Sequence, residues 1–401
     1  MNNIKLDFPI LDKKIRDKAI TYLDSAASTQ KPKQVINSIS EFLENSYENV
    51  HRGMNSLSID ATDLYEKSRD VAKNFINSNS TNEIIFTRGA TDSINIIANS
   101  LAEHLKEGDK IVVTELEHHS NYLPWMNLCK KLGLELKIIP ISKDGILSED
   151  DIINNCDDST KVLSLTHMSN VTGQILDIKK IKKSINKDTY VAVDGCQSIA
   201  HLKIDVKDLD CDFYSFSSHK LYGPSGIGIM YGKEDILNKL NPPTLGGGMI
   251  NEVSSNDFSY AMLPNKFEPG TPSIEAAIGF KTAMEYLNNN NYQDYFLNEK
   301  KLRSTLIKAL REFKEVDIYG SNEDGNATSI VSFNIKNQNF NDIATFLDQY
   351  GIMIRGGHHC CQPFMKKLGI PGSCRVSFGI YNDLNDIDHF IDSLKKTLKL
   401  L

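Results

Sequence analysis

The sequence predicts an α/β protein in which a mainly parallel seven-stranded sheet, covered by helices on both faces, joins a small α+β domain. Three observations carry this prediction. Short apolar runs recur between residues 84 and 231 with helical stretches between most of them, the alternation that builds a parallel sheet. These runs stop at polar residues, as buried strands do at their C-terminal edge. A four-asparagine run, Asn288 to Asn291, then breaks the pattern; asparagine favours turns and adds nothing to a core.

The seven strands are Ile84 to Thr87, Ile111 to Thr114, Leu134 to Ile139, Val162 to Thr166, Tyr190 to Asp194, Phe213 to Ser217 and Ile227 to Tyr231. After the first, Arg88-Gly89-Ala90-Thr91 opens a helix whose Ile94, Ile97, Leu101 and Leu105 recur at helical spacing. The last two strands are separated only by Leu221 to Gly226, too short for a crossover helix. That pair is therefore antiparallel, with an edge or inserted strand at this end of the sheet. Gly246-Gly247-Gly248 begins a less regular stretch reaching Glu268-Pro269-Gly270-Thr271-Pro272, and a helix continues to about Leu287. Beyond the asparagines come an amphipathic helix from Leu302 to Phe313, a strand from Ala327 to Ile335, a helix from Phe340 to Tyr350 and a strand ending near Cys374 to Phe378. The large domain is thus expected over residues 21–287. The small domain is expected to be discontinuous, built from 1–20 and 288–401, because twenty residues are too few to fold alone.

Composition excludes several function classes. At 401 residues and 40% hydrophobic content the chain has enough for two cores. A formal charge of −7 without a dense Lys/Arg stripe argues against a nucleic-acid partner, and Lys179-Lys180 with Lys182-Lys183 reads as a solvated helix face. No run reaches the 18 apolar residues of a membrane span, and Met1 to Ile10 lacks the apolar core of a signal peptide. Seven scattered cysteines do not form a disulfide framework. The expectation is a soluble, unexported protein in the reducing cytoplasm.

Two strand ends carry chemistry. Val191-Ala192-Val193-Asp194 and Phe213-Tyr214-Ser215-Phe216-Ser217 deliver Asp194 and, just beyond, Ser218-His219-Lys220, with Lys220 lying 26 residues after Asp194. Ligands of open α/β sheets gather at this edge. A lysine there can form a Schiff base with an aldehyde, and an aspartate can pair with a protonated pyridine nitrogen. Those are two contacts that pyridoxal phosphate requires of its protein. Arg88-Gly89-Ala90-Thr91 supplies a helix N-terminus for the phosphate, and Ser217 and His219 can donate to it beside the lysine. A solvated strand-end lysine is the plainer alternative, but it leaves the coincidence of the three features without a cause.

The loop Gly351-Ile-Met-Ile-Arg355-Gly356-Gly357-His358-His359-Cys360-Cys361-Gln362 concentrates reactive side chains on flexible backbone. It reads as a nucleophilic thiol, because a neighbouring arginine or protonated histidine raises the thiolate fraction of a cysteine. A structural zinc site and an ordinary loop are the alternatives; four adjacent ligands do not converge tetrahedrally, and no CxxC-type pair accompanies them.

The chain resembles the class V fold-type I pyridoxal phosphate enzymes and, among them, the group II, SufS-like cysteine desulfurases. The resemblance runs from Tyr22-Leu23-Asp24-Ser25-Ala26-Ala27 to Tyr381-Asn382. It rests on His51-Arg52-Gly53, Glu117-His118-His119, Thr166-His167-Met168-Ser169-Asn170, Val193-Asp194-Gly195-Cys196-Gln197-Ser198, Ser217-Ser218-His219-Lys220-Leu221-Tyr222-Gly223-Pro224, Phe267-Glu268-Pro269-Gly270-Thr271-Pro272 and Arg355-Gly356-Gly357-His358-His359-Cys360, all in order. It implies that Lys220 holds pyridoxal 5'-phosphate covalently, Asp194 pairs with the ring nitrogen, Gln197 bonds the ring hydroxyl, and His118 stacks on the ring and handles protons. Thr91, Ser217 and His219 hold the phosphate, with Thr271 reaching in from the other subunit of a homodimer. Ala90 departs from the hydroxyl residue often found there, so a backbone N–H or water replaces one phosphate contact. Asn170 and Arg375 hold the substrate, and Arg355 serves as a second cation or orders the loop. Cys360 matches the persulfide-forming cysteine. Cys361 is a departure, a bystander or a secondary sulfur acceptor; adjacent side chains of an extended loop point in opposite directions, which favours the bystander.

The implied reaction converts L-cysteine to L-alanine and leaves a persulfide on Cys360, supplying sulfur for iron–sulfur cluster assembly through a small acceptor protein of the SufE or SufU kind. Selenocysteine lyase chemistry uses the same residues. An aminotransferase or kynureninase-like lyase needs Lys220 and Asp194 but not Cys360, and a metal-carrying scaffold would leave Asp194 and Lys220 unexplained.

Overall fold

The computed structural model describes residues 4–290, 292–320 and 325–400. Its central sheet has seven strands: β1 (Ile84–Thr87), β2 (Lys110–Thr114), β3 (Glu135–Ile139), β4 (Thr160–Thr166), β5 (Tyr190–Asp194), β6 (Phe213–Ser217) and β7 (Gly228–Gly232). Their order is β1-β7-β6-β5-β4-β2-β3. All run parallel except β7, which lies antiparallel to both β1 and β6. The sequence left an edge or an inserted strand open at this end; β7 is inserted.

Alternate residues of each strand enter different cores, as a period of two requires. Val112, Leu163, Val191, Val193, Tyr214 and Ile229 pack on one face, and Ile111, Val113, Val162, Ala192, Phe213 and Met230 on the other. Because both faces are covered, these strands read as continuous apolar runs.

The insertion of β7 builds the site's edge. Gly228 pairs with Thr87 on one side and Ser217 on the other, so the segments leaving β1 and β6 are brought together across one strand end. A side chain at Gly228 would meet the Gly89 Cα at 2.6 Å, and Gly89 itself turns at φ 148°. Only glycine allows this approach.

The second unit is a four-stranded antiparallel sheet of β8 (Val316–Tyr319), β9 (Ile330–Ile335), β10 (Arg355–Gly357) and β11 (Ser373–Ser377), ordered β8-β9-β11-β10. Its own core includes Leu302, Leu306, Phe333, Val376 and Phe390. The helix expected from Leu302 starts at Tyr292 instead. Its first half carries Asp294, Asn298, Glu299, Lys300 and Lys301, and this polar run hides the helical period. Asn288 and Asn289 end the preceding helix, Ile274–Asn289, whereas Asn291 lies outside the described residues. The irregular stretch after Gly248 contains a hairpin, Ile250–Val253 with Phe258–Tyr260, that its sparse apolar content concealed.

The N-terminal segment touches both units. Phe8 packs edge-on against Tyr286 and Tyr381, and Lys5 pairs with Asp383 and Asp386. Thr21–Tyr22 pairs in parallel with Ile352–Met353, and Asp24 bridges to Ser377. Residues Met1 to Asn3 lie outside the described residues.

Candidate active site

A cavity of about 220 Å³ opens where β1, β5 and β6 end and the loop after β10 folds back over them. Of the sequence-predicted residues, Lys220, Asp194, His118, Thr91, Ala90, Ser217, His219, Asn170, Arg355, Cys360 and Arg375 all line it. Gln197 and Thr271 are not among the lining residues. Gln197 is buried, with its Nε2 donating to the Ala26 carbonyl at 2.9 Å. Thr271 lines a separate cleft of about 370 Å³ with Arg88 and Gly270.

Lys220 follows β6 in a single tight turn, Ser218–Lys220. The carbonyl just before it, that of His219, accepts from four donors: Thr29 N, Thr29 Oγ1, Ser28 Oγ and Lys31 Nζ, at 3.0–3.1 Å. This N-terminal clamp fixes the lysine's backbone. Lys31 is half-buried, and the loss of water around it pulls its ammonium down to about 8. Asp194, at the end of β5, is 5% exposed, and its Oδ1 accepts the Cys196 N–H at 2.9 Å.

The helix Ala90–Leu101 begins beside this pair. Gly89 at its N-cap offers no side-chain bond, so first-turn N–H groups remain for an anion. The Ala90 N–H is itself engaged by Ser217 Oγ at 2.8 Å. Asp92 would repel an anion here, but Arg88 pairs with it. Thr91 Oγ1 bonds Ser120 Oγ at 2.7 Å, and His219 is pushed down to about 4 by burial and then by Lys220 and Lys31.

His118 is pushed down to about 3 by burial, then by Lys220, His119, Arg375 and Arg355. It is neutral, and its tautomer follows from its partners. The Ser120 backbone N–H donates to Nδ1 at 3.1 Å, so the ring hydrogen sits on Nε2. Beneath it, Glu117 is fully buried and rises to about 8. It accepts from Thr114 Oγ1 at 2.8 Å and Asn121 Nδ2 at 2.6 Å, tying the histidine turn to the end of β2.

The thiol loop meets the cavity from the other unit. Cys360 is partly exposed, whereas Cys361 is fully buried. Cys361 Sγ donates to the Glu115 carbonyl at 3.6 Å, and burial drives its thiol far up. The two thiols therefore face different surroundings, and the free zinc-like convergence of four ligands does not occur; among the described residues no group of three or more His, Cys, Asp or Glu could hold a metal ion. His359 falls to about 2 through burial and the nearby Arg375, with Nε2 3.0 Å from Ser373 O and Oγ.

Register places Arg355 opposite Arg375 across β10 and β11, so both project to one face. Arg375 is 2% exposed; NH1 donates to the Asn170 carbonyl at 3.0 Å and NH2 to Asp24 Oδ1 at 2.9 Å. Burial pulls its guanidinium down, though not far enough to discharge an arginine. Its Nε has no partner, nor does His359 Nδ1. His359 Nε2 donates to the Ser373 carbonyl, so its Nδ1 is an acceptor; the unpaired buried donor is Arg375 Nε, which requires explanation, and a substrate carboxylate beside Arg375 supplies one.

These residues fit pyridoxal phosphate on structural grounds. A lysine, a buried carboxylate, a neutral histidine and a helix N-terminus without a side-chain cap surround one cavity, and Gly228 lets the Gly89 backbone that opens this helix pack directly against the strand end. Among the residues that sequence reasoning left without roles are Asp24, Ser28, Thr29 and Lys31, from the N-terminal segment. Their only sequence signal is a polar cluster directly after Tyr22-Leu23, which resembles any strand end.

The chain matches the aminotransferase class-V family over residues 21–390. It is 44% identical over 393 residues to a probable cysteine desulfurase of Staphylococcus epidermidis, covering 98% of this chain and 95% of that one. Among solved structures it is similar to a cysteine desulfurase from Thermococcus onnurineus in its apo form, with a TM-score of 0.94, 36% identity, and coverage of 100% and 98%. A cysteine desulfurase from Escherichia coli in an S-sulfonic acid form gives a TM-score of 0.91 at 33% identity, covering 100% and 99%.

Proposed function

Because the chain belongs to the class-V aminotransferases and, within them, to the cysteine desulfurases, we propose that it takes sulfur from L-cysteine in the cavity between Lys220 and Cys360. It is a pyridoxal phosphate-dependent cysteine desulfurase, working in iron–sulfur cluster assembly. The observation that carries the site assignment is the convergence of Lys220, Asp194, His118, Arg375 and Cys360 from two separate units on one cavity.

Lys220 would hold the cofactor, Asp194 its ring nitrogen and Thr91, Ser217 and His219 its phosphate, while Gln197, whose Nε2 already donates one hydrogen to the Ala26 carbonyl, would reach the ring hydroxyl with its other amide hydrogen. Bound, the cofactor supplies an electron sink for the substrate's α-carbon. Arg375 binds the substrate carboxylate with Nε and the hydrogens its two partners leave free, and Asn170 and Arg355 bound the same corner. Lys220 Nζ takes the α-proton. His118, neutral with its hydrogen on Nε2, would lie against the bound cofactor and can give up or take back a proton at that nitrogen. The Cys360 thiolate attacks the substrate sulfur, forming an S–S bond as the C–S bond breaks. L-Cysteine and the thiol become L-alanine and a persulfide.

We place the large domain at 21–287 and the small one, carrying the Cys360 loop, at 1–20 with 288–401, a division supported by the separate core around Leu302 and Phe390. A homodimer is supported by the position of Thr271 outside its own cavity and by exposed Met262, Val253 and Leu245 nearby in sequence. A small acceptor of the SufE or SufU kind takes the sulfur, and the cytoplasm is the proposed location; among the described residues no helix is long and apolar enough to cross a membrane.

The test is incubation with L-cysteine followed by peptide mass spectrometry and alanine measurement. One added sulfur on the Cys360 peptide, matched by alanine, is expected. Alanine without a persulfide at Cys360 would overturn the assignment.

A further inference from the structure

The turn that carries His118 has a second histidine, and His119 touches the thiol loop twice. Its backbone N–H donates to the Cys360 carbonyl at 2.7 Å, and its Nε2 accepts the Gln362 N–H at 3.1 Å. The two bonds bracket Cys360-Cys361 from outside the loop. An accepting Nε2 means that the ring hydrogen is on Nδ1, and burial and His358 both lower this histidine's affinity for a second proton.

The loop needs restraint. His359 and Cys360 both sit at φ 53°, the left-handed region that L-residues other than glycine disfavour, and two in succession are uncommon. Each carbonyl around the bend is held: that of His358 by Cys361 N–H, that of His359 by Asn170 Nδ2 at 2.6 Å, and that of Cys360 by His119. Released, the bend would relax toward extended backbone and lift Cys361 off Glu115.

We propose that His119 is a positioning residue that docks the strained Cys360 bend against the large unit, holding Cys360 at the cavity and Cys361 out of reach. The docking acts through the imidazole's acceptor nitrogen as well as the backbone. It rests on the function above only in naming Cys360 as the sulfur acceptor.

The test is iodoacetamide labelling of the cofactor-free protein, with Cys360 and Cys361 quantified by peptide mass spectrometry. Wild-type protein is expected to label at Cys360 and to protect Cys361. His119→Ala raises the Cys361-to-Cys360 labelling ratio about fivefold, the factor carried by one hydrogen bond. His119→Gln, whose side-chain oxygen reaches the Nε2 position, returns the ratio to the wild-type value. Should the alanine variant fail to fold, His119→Asn, whose oxygen stops short at the Nδ1 position, replaces it in the comparison with His119→Gln. An unchanged ratio in the alanine or asparagine variant, or a glutamine variant as labile as these, overturns the proposal. Persulfide formation in wild-type holoenzyme is measured in parallel; its failure would count against the function and leave the labelling result standing.

Discussion

Asp24→Asn removes the partly buried counter-charge that Arg375 is paired with. The side chains are isosteric, so the hydrogen bond to NH2 survives while the charge is lost. At 2.9 Å and an effective dielectric of about 20, the pair's attraction is about 6 kcal/mol. Retention of the hydrogen bond and the 20% exposure of the Asp24 side chain reduce the net loss to about 3 kcal/mol, the low end for breaking a buried pair. Arg355 repels Arg375 across the same strand pair and opposes any compensation. Urea unfolding of the cofactor-free protein measures the cost as a lower midpoint at unchanged slope. A loss below about 1 kcal/mol, the range of exposed pairs, would refute the view that Asp24 holds the substrate-binding arginine.

Lys220→Ala is expected to abolish alanine release and the borohydride-fixed cofactor peptide; a fixed adduct at another lysine would show that the strand-end site was misassigned. Cys360→Ser is expected to bind cofactor yet accumulate no persulfide, with selenocysteine turnover better preserved than cysteine turnover, whereas Cys361→Ser keeps the persulfide and lowers stability by about 1 kcal/mol through its buried hydroxyl; the reverse pattern in intact-protein mass spectra would move the nucleophile by one residue. Acid stability tests the buried histidines. His167 is fully enclosed, with Nδ1 3.1 Å from Tyr214 OH, and burial lowers it to about 4. A depressed histidine binds its proton in the unfolded chain first, so it stabilises the fold fully above the unfolded value near 6.5 and loses that contribution as pH falls toward 4. His167→Gln should therefore flatten the decline of unfolding free energy between pH 6 and 4 by up to about 1.4 kcal/mol per pH unit; a slope equal to wild type would place the extra proton elsewhere.

The sequence by itself determined the central sheet and the chemistry at its edge. Strands buried on both faces must be apolar along their length and must end where the polar ligand site begins, so β1 to β7 were legible as seven runs, and Asp194, Lys220 and the Gly89-Ala90-Thr91 turn were legible as their ends. The thiol loop was legible because two glycines and four reactive side chains rarely gather without a site. What only the tertiary structure decided are pairings distant in sequence. Whether the last strand lay at the edge or inside depended on β1 pairing with β7 across more than a hundred residues of chain. The start of the helix at Tyr292 depended on a buried Glu299 meeting His201 at 2.7 Å, a contact that turns a polar stretch inward. The clamp of Ser28, Thr29 and Lys31 on the His219 carbonyl, and of Asp24 on Arg375, join residues about 190 and 351 positions apart. Local pattern records what each segment buries against its own period; it carries no record of which distant carbonyl or charge a polar side chain will satisfy, and here those long-range polar contacts fix the lysine, the arginine and the thiol around one cavity.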